Sequence, residues 1–534
     1  MSSYVDLKAR NGTVYVYEST GHWDKNKQIC VCERRCVGKR NPDTGEIIFS
    51  KKYITEHVEE KPLKRDPIPA TECRRYFSGA TYLLDAIGEK TGITNDLKRC
   101  FPDTYKKFLS LAYYLVLEGG SPVSRFSKWA ASHDHPYGSD IPSQRSSELF
   151  ASITEDEKQA FFRMQGKRRA EKEYLAYDTT SISSYSRSLK QVKYGMNKDG
   201  DSLPQINLAL MFGEESGLPF YYRKYAGNIT DVKTIQGFLR DIDFMEMGKV
   251  KLVMDRGFYS EDNINAMYQQ HLKFLIGGKL SLKLIKGKLD EVRSSMVTRS
   301  HYSSSHGVYA DTYMMDWNYS EEKIRSGEVI SDERRIYLHL YYNDQKAVDD
   351  KTLFNRMLDM LEDELISGRR NPEHEKQYSK YFNIKETPKK GISLEPKQDA
   401  IDEAEKNYGY FALLSNGIKE PLQALEIYRT KDMIEKAFGN LKERLNMRRT
   451  SVSSEENLEG KLFVQFIALI YMSYIKKSMV ENGLYKNNTM QELLDELDII
   501  ESFQQSGRKR RFGETTKKQE KLYEYLGVTA PSLI

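Results

Sequence analysis

The spacing of apolar and polar positions changes along the chain, and each change marks a different kind of element. Between residues 13 and 54 the two classes alternate, at Val14 to Tyr17, Ile29 to Cys32 and Ile47 to Phe49, around the turn-forming run Asn41 to Gly45. A period of two interrupted by such a turn predicts a small antiparallel sheet. From about 80 to 170 the period lengthens. Leu83, Leu84, Ile87, Phe108, Leu111, Ala112 and Leu115 recur at steps of three and four, which places them on single helix faces. Two helix-turn-helix candidates fall in this region, around Ile87 to Thr94 and around Ile141 to Phe150.

The central region reads as strand, strand, strand, helix, strand, helix, strand: Tyr174 to Asp178, Ile206 to Phe212, Phe220 to Tyr225, Val232 to Met245, Val250 to Asp255, Glu261 to His271, and Phe274 to Ile276. Three strands able to pair as a meander, then strands linked by helices, predict a mixed sheet covered by helices. The stretch from Asp255 to Glu435 is too long for a strand-and-helix connection, so residues about 279 to 407 read as an insertion. It contains a strand at Arg335 to Tyr342, a helix through Leu353 to Ile366 and a loop around Lys385 to Gly391. The core resumes with Tyr408 to Asn416 and a charged, helix-like stretch bearing Glu435. Leu462 to Ile475 is apolar, but it is shorter than the ~20 residues that cross a bilayer and contains Gln465; it predicts a buried helix and no membrane role.

Composition adds bounds. At 534 residues the chain exceeds one core and suggests about three or four units. Its 39% hydrophobic and 30% charged residues exclude general disorder. With 82 basic against 77 acidic residues the net charge is only +5, so any affinity for nucleic acid must come from local patches. Four exist: Arg34, Arg35, Lys39 and Arg40; Lys167, Arg168 and Arg169; Lys442, Arg444, Arg448 and Arg449; and Arg508 to Arg511. Taken alone, each is explained by a solvated face. Five cysteines without a regular framework fit a reducing compartment, and the amino terminus lacks the apolar core of a secretory signal, so a cytoplasmic protein is expected. Cys30, Cys32 and Cys36 leave structural zinc open, although alternate strand positions account for the first two. No phosphate-binding glycine loop occurs, and no nucleotide cofactor is implied.

Three carboxylates carry the candidate chemistry. Asp178 and Asp255 close strand-like runs, and open α/β sheets place their sites at strand carboxyl ends. Glu435 lies on the helix-like stretch. Hard divalent cations prefer oxygen ligands, and two of them about 3.5–4 Å apart can activate a nucleophile and stabilise a leaving oxygen on a phosphodiester. Each residue also has a plain explanation: a turn cap for the two aspartates, a solvated helix for the glutamate. Asn228 and Asp231 read as caps of the helix that follows them.

Asp178-Thr-Thr, Gly227-Asn-Ile-Thr-Asp, Asp255-Arg-Gly-Phe, Leu414-Ser-Asn and the run from Tyr428 through Lys442 to Arg449 together resemble the DDE insertion-sequence transposases, of the cut-and-paste, hairpin-forming type with a β-rich insertion domain. The resemblance extends over roughly residues 1 to 480. The family's Tyr-Arg-Glu-Lys signature falls here on Tyr428, Lys431, Glu435 and Lys442, with lysine in place of arginine. An ammonium is a point charge without the planar fork that grips phosphate in two places; Arg429 could compensate from nearby, although it is out of register. On one continuous helix Lys431, Glu435 and Lys442 would share a face.

The resemblance implies a ribonuclease H-like α/β core of mixed sheet at 171–278 and 408–480, split by a mainly β insertion domain at 279–407. A small β-rich domain at 1–79 and a helical DNA-binding region at 80–170 precede it, and a helical basic region at 481–534 follows. It also implies that Asp178, Asp255 and Glu435 hold two Mg2+ (or Mn2+) ions, with Tyr428, Arg429, Lys431, Lys442, Arg448 and Arg449 on DNA. The substrate is then double-stranded DNA, the transposon terminal repeats and the target, handled by a homodimer that cuts, forms a hairpin and joins ends. A nuclease of the same fold without joining, or a catalytically silent DNA-binding descendant, are the alternatives.

Overall fold

The computed structural model describes residues 2–24, 28–42, 44–53, 73–168, 173–244, 250–322, 329–387, 391–450, 452, 454–505 and 510–532. Arg169, Met245, Arg508 and Lys509 lie outside these. The chain divides into two compact units, residues 1–74 with 504–510 and residues 75–503 with 511–534.

In the first unit β1 (Ser2–Lys8), β2 (Val14–Asp24), β3 (Ile29–Arg40) and β4 (Ile47–Phe49) form one antiparallel sheet in chain order. Alternation buries Val16 and Val37 completely. Gly45 adopts φ +71°, a conformation that strains other residues, and its N–H donates to the Asn41 carbonyl at 2.9 Å to close the β3–β4 turn. The expected sheet is present, with β1 added to it.

In the second unit β5 (Arg74–Phe77) precedes a run of helices. Gly79–Thr91 and Ile93–Cys100 meet at Gly92, whose φ of +79° makes the turn between them. The second helix-turn-helix candidate is corrected: Ser143–Ala151 is a single helix. Its turn comes later, where Thr154 caps the next helix, Glu155–Lys167, with a reciprocal capping box.

The main sheet is built from β6 (Leu175–Ser184), β7 (Gln205–Gly213), β8 (Pro219–Ala226), β9 (Lys251–Met254), β10 (Lys273–Gly278), β11 (Tyr302–Ser303), β12 (Val308–Glu322) and β13 (Val329–Tyr342). After a separate hairpin of β14 (Phe382–Thr387) and β15 (Gly391–Pro396), it is completed by β16 (Tyr410–Ser415), with β17 (Arg449–Thr450) against β6. The order across it is β11, β12, β13, β16, β10, β9, β6, β7, β8. β6 runs antiparallel to β7 and parallel to β9, and β9 runs parallel to β10. Strand-helix-strand links run through the helices Asp231–Phe244 and Glu261–Gln269. The expected order of strands and helices in the central region is therefore present, and the fold is mixed α/β.

Two expectations are corrected. The insertion is not mainly β: it holds the 23-residue helix Asp344–Ile366 and the helices Lys283–Met296, Glu375–Tyr381 and Gln398–Glu405. Its long strands β12 and β13 extend the main sheet through β16 rather than closing on themselves. A small second core of Leu361, Leu365, Tyr378, Tyr381, Phe382 and Ile401 holds the remainder. The apolar helix is also longer than its apolar run, Glu455–Glu481. It is long and apolar enough to cross a membrane, yet 83% of its apolar window is buried in this fold. Gly460 lets it press onto the backbone of Phe150, and Phe463 sits among the rings of Phe101, Phe108, Phe161 and Phe162. β18 (Glu501–Gln504) and β19 (Arg511–Phe512) complete a three-stranded sheet with β5.

Candidate active site

The site begins at a gap in strand pairing. β9 has only four residues and pairs with β6 as far as Tyr177, opposite Met254; β17 rejoins β6 at Ser183. Asp178 and Asp255 each follow the last pair, on strands that lie about 4.8 Å apart by sheet geometry. Asp178 is thus inside β6 rather than at its end, a correction of the expected boundary. β6 continues because Thr179 to Ser184 are buried and satisfied: the Ser181 hydroxyl donates to Asn207 at 3.3 Å and that of Ser184 to the Thr450 carbonyl at 3.1 Å. Asp255 does end its strand. Its Oδ1 accepts the Arg256 N–H at 2.8 Å and caps a short 3-10 turn, so the plain role coexists with any chemical one.

Tyr428 and Lys431 come to Asp255, and Glu435 to Lys431, along a helix that is broken. Pro421–Arg429 is one helix and Asp432–Gly439 another, followed by a π turn at Asn440–Arg444. The Thr430 hydroxyl donates to the Ile427 carbonyl and competes with the regular ladder at the break. The continuous helix expected from spacing is therefore absent. Tyr428 donates its hydroxyl to Asp255 Oδ1 at 2.7 Å. The Lys431 ammonium stands 3.5 Å from Asp255 Oδ1, 3.5 Å from Glu435 Oε1 and 5.2 Å from the Tyr428 ring centre. Its charge also partly offsets the burial that raises the Asp178 carboxyl.

Burial, opposed by Lys198 and by the Thr179 N–H, holds the Asp178 carboxyl above its ordinary range. At Asp255 burial is outweighed by the Tyr428 hydroxyl, Lys431 and the Arg256 backbone, and the carboxyl falls below its ordinary range. Tyr428 is pushed well above the usual phenol value, first by burial and then by Asp255, so it stays a proton donor.

The other expected contacts are elsewhere. The Lys442 ammonium donates to both Asp199 oxygens, at 2.7 and 2.6 Å. Arg449 donates to Asp201 at 3.0 Å and to the Tyr185 hydroxyl at 2.7 Å, and Arg448 reaches Glu443 at 3.4 Å. Arg429 is exposed at the end of its helix, and no hydrogen bond or ion pair joins it to the three carboxylates. Sequence reasoning missed four participants. Lys198 reaches Asp231 at 3.0 Å, Asp178 at 3.7 Å and the Thr179 hydroxyl at 2.7 Å, and Thr179 in turn donates to Asp231. Asp231, read as a helix cap, is thereby tied to Asp178. Gly277 on β10 is the fourth: a Cβ there would stand 2.9 Å from the Tyr428 hydroxyl and 2.8 Å from the Arg256 nitrogen. The available signal for Asp231 was its place in the quoted Gly-Asn-Ile-Thr-Asp run.

The oxygen-only donor set of Asp178, Asp255 and Glu435 suits a hard divalent cation, and ammonium groups now stand among these carboxylates. Among the described residues no three His, Cys, Asp or Glu side chains are gathered tightly enough to hold a metal, Cys30, Cys32 and Cys36 included; these three are exposed free thiols.

Comparison with known proteins gives one family. The family model described as "Transposase DDE domain" matches residues 169–471, more than half of the chain, and spans Asp178, Lys198, Asp231, Asp255, Tyr428, Lys431 and Glu435. No curated protein sequence matches. Among solved structures, the cryo-EM structure of the piggyBac transposase synaptic complex with hairpin DNA is similar at 13% identity and a TM-score of 0.32, over 78% of this chain and 70% of that chain. That likeness is too distant to carry structural argument.

Proposed function

The chain belongs to the transposase DDE domain family, and from that membership and the carboxylate geometry we propose that it binds the terminal inverted repeats of a transposon, cleaves DNA strands there and joins the freed ends to target DNA. The observation that carries this reading is the placement of Asp178 and Asp255 just past the last paired residues of β6 and β9, with the Lys431 ammonium 3.5 Å from both Asp255 and Glu435. Carboxylates from separate parts of the chain brought beside one positive charge are what a divalent-cation centre needs. The order β8, β7, β6, β9, β10, antiparallel and then parallel, supports a ribonuclease H-like core under it.

Asp178, Asp255 and Glu435 would hold two Mg2+ or Mn2+ ions. When bound, such ions lower the pKa of an attacking water and neutralise charge on the leaving 3' oxygen. Tyr428 keeps its proton and fixes the rotamer of Asp255 through Oδ1. Lys431 balances the acidic centre and lies where a backbone phosphate could approach. Lys442, Arg448 and Arg449 would grip phosphates further along the duplex, giving binding that weakens with salt by about 0.9 log unit per contact per decade. The helices between 80 and 170 would read sequence, the residues of 279–407 would act as an inserted module, and two copies would hold the two ends.

The test uses the full chain, Mg2+ and a plasmid carrying the DNA that flanks its coding region. Wild type should nick and then join, whereas Asp178→Asn, Asp255→Asn and Glu435→Gln should each bind DNA without cutting it. Undiminished cleavage by any of the three would refute the assignment, and cleavage without joined products would leave a nuclease.

A further inference from the structure

The segment from Tyr185 to Pro204, between β6 and β7, brings three charged side chains onto the candidate site. Lys198 stands among Asp178, Asp231 and Thr179, also donating to the Thr179 carbonyl at 2.8 Å. Asp199 takes both of its hydrogen bonds from Lys442, whose side chain is only 10% exposed. Asp201 takes one from Arg449. Each charge has the sign that the substrate complex would supply at that place: a cation at a carboxylate assigned to metal, anions at cations assigned to phosphates.

The backbone of the segment is fastened independently of these pairs. Lys193 and Gln205 exchange N–H to carbonyl bonds of 2.9 Å in both directions, and Leu189 and Val192 are buried. Gly195 lies so close to Gly227 that a Cβ would meet its carbonyl oxygen at 2.0 Å. Asn197 Oδ1 accepts the Asp199 N–H at 2.8 Å. The charged side chains can therefore change partners while the loop stays in place.

We propose that Lys198, Asp199 and Asp201 form an internal counter-charge set that occupies the site in the DNA-free chain and is exchanged for divalent cation and backbone phosphates when DNA binds. The inference rests on the transposase reading of the same site. It gives the segment a regulatory effect: DNA and metal must each displace a partner built into the chain, so unproductive binding is weakened. If the pairs instead hold Lys442 and Arg449 in position for DNA, neutralising the aspartates would weaken binding.

The experiment measures affinity of the full chain for a random-sequence duplex of about 30 base pairs by fluorescence anisotropy in EDTA at fixed salt. Asp199→Asn and Asp201→Asn should each tighten binding, by up to about fivefold per pair released. Binding that is unchanged or weaker in both variants overturns the proposal. Lys442→Ala with Arg449→Ala should weaken binding. If that double variant binds as wild type does, the phosphate contacts themselves are refuted and the inference goes with them; if it weakens while the asparagine variants fail to gain, only the inference falls. A second arm measures Mn2+ binding without DNA by titration calorimetry, where Lys198→Met should bind more tightly than wild type, and equal or weaker binding overturns that half.

Discussion

Gly277→Ala tests how tightly Asp255 is supported, because it adds one methyl at the point where three elements meet. A Cβ built on Gly277 stands 2.8 Å from the Arg256 nitrogen, 2.9 Å from the Tyr428 hydroxyl oxygen and 3.1 Å from the Arg256 Cβ. The backbone nitrogen cannot yield without moving the turn that Asp255 caps, so the Tyr428 hydroxyl moves first and its 2.7 Å bond to Asp255 is lost. Overpacking of this kind costs about 1–3 kcal/mol. Tyr428→Phe removes the same hydroxyl directly. A bond to a charged acceptor contributes about 1.5–3 kcal/mol when buried. The Asp255 side chain is 40% exposed, which screens that to about 1 kcal/mol.

In the double variant Gly277→Ala with Tyr428→Phe the methyl no longer meets a hydroxyl, so the two losses should not add. A coupling of about 0.5–1 kcal/mol is expected, comparable to the shared hydrogen bond. Urea denaturation midpoints of the four proteins measure it, and strand-cleavage rates should follow the same pattern. Additive losses would show that the Gly277 methyl does not act through the Tyr428 hydroxyl and would refute the reasoning.

Three further outcomes follow from the packing. Burial holds His135 and His339 down to about 4, so both are neutral in the folded chain while the unfolded chain takes up protons near pH 6.5. Stability is then fully present above about pH 6.5 and is lost as pH falls toward 4, by at most roughly 3 kcal/mol per histidine; a urea midpoint that does not drop between about pH 7.5 and pH 5 would contradict this. Lys224→Met should cost about 3–5 kcal/mol, because Lys224, 4% exposed, lies 2.6 Å from Glu455 and 3.0 Å from Glu459, and its loss leaves those carboxylates under-compensated; Glu455→Gln in the same background should recover part of the loss in thermal unfolding. Gly460→Ala places a Cβ 2.2 Å from the Phe150 carbonyl oxygen, so the helices Glu455–Glu481 and Ser143–Ala151 must separate, and the yield of folded chain by gel filtration should fall sharply.

Several features were legible in the sequence for local reasons. Alternation around Asn41 to Gly45 produced β2 to β4, and the sequence of periods in the central region matched the strands and helices from β6 to β10. Asp255 ends its strand because Gly257 and its neighbours support a turn. Asp178 reads as a strand end because Thr179 to Ser184 look like turn residues; the Ser181 and Ser184 hydroxyls find partners on β7 and β17, which no local pattern reveals. The break after Arg429 carries no proline or glycine. Lys431 and Glu435 therefore looked like neighbours of Lys442 on one helix, when Lys442 in fact pairs with Asp199.

Taken by itself, the chain's residue order determined which segments are strand or helix and which side chains could bind a hard cation or a phosphate, since backbone preference and side-chain chemistry act within a few residues. Tertiary structure alone decided that β12 and β13 extend the main sheet, that Asp178 faces the end of β9, and that Lys198, Asp199 and Asp201 rest on the groups expected to meet metal and DNA. Strand edges and charges can pair across any separation along the chain, so their partners are fixed only when the whole sheet has closed.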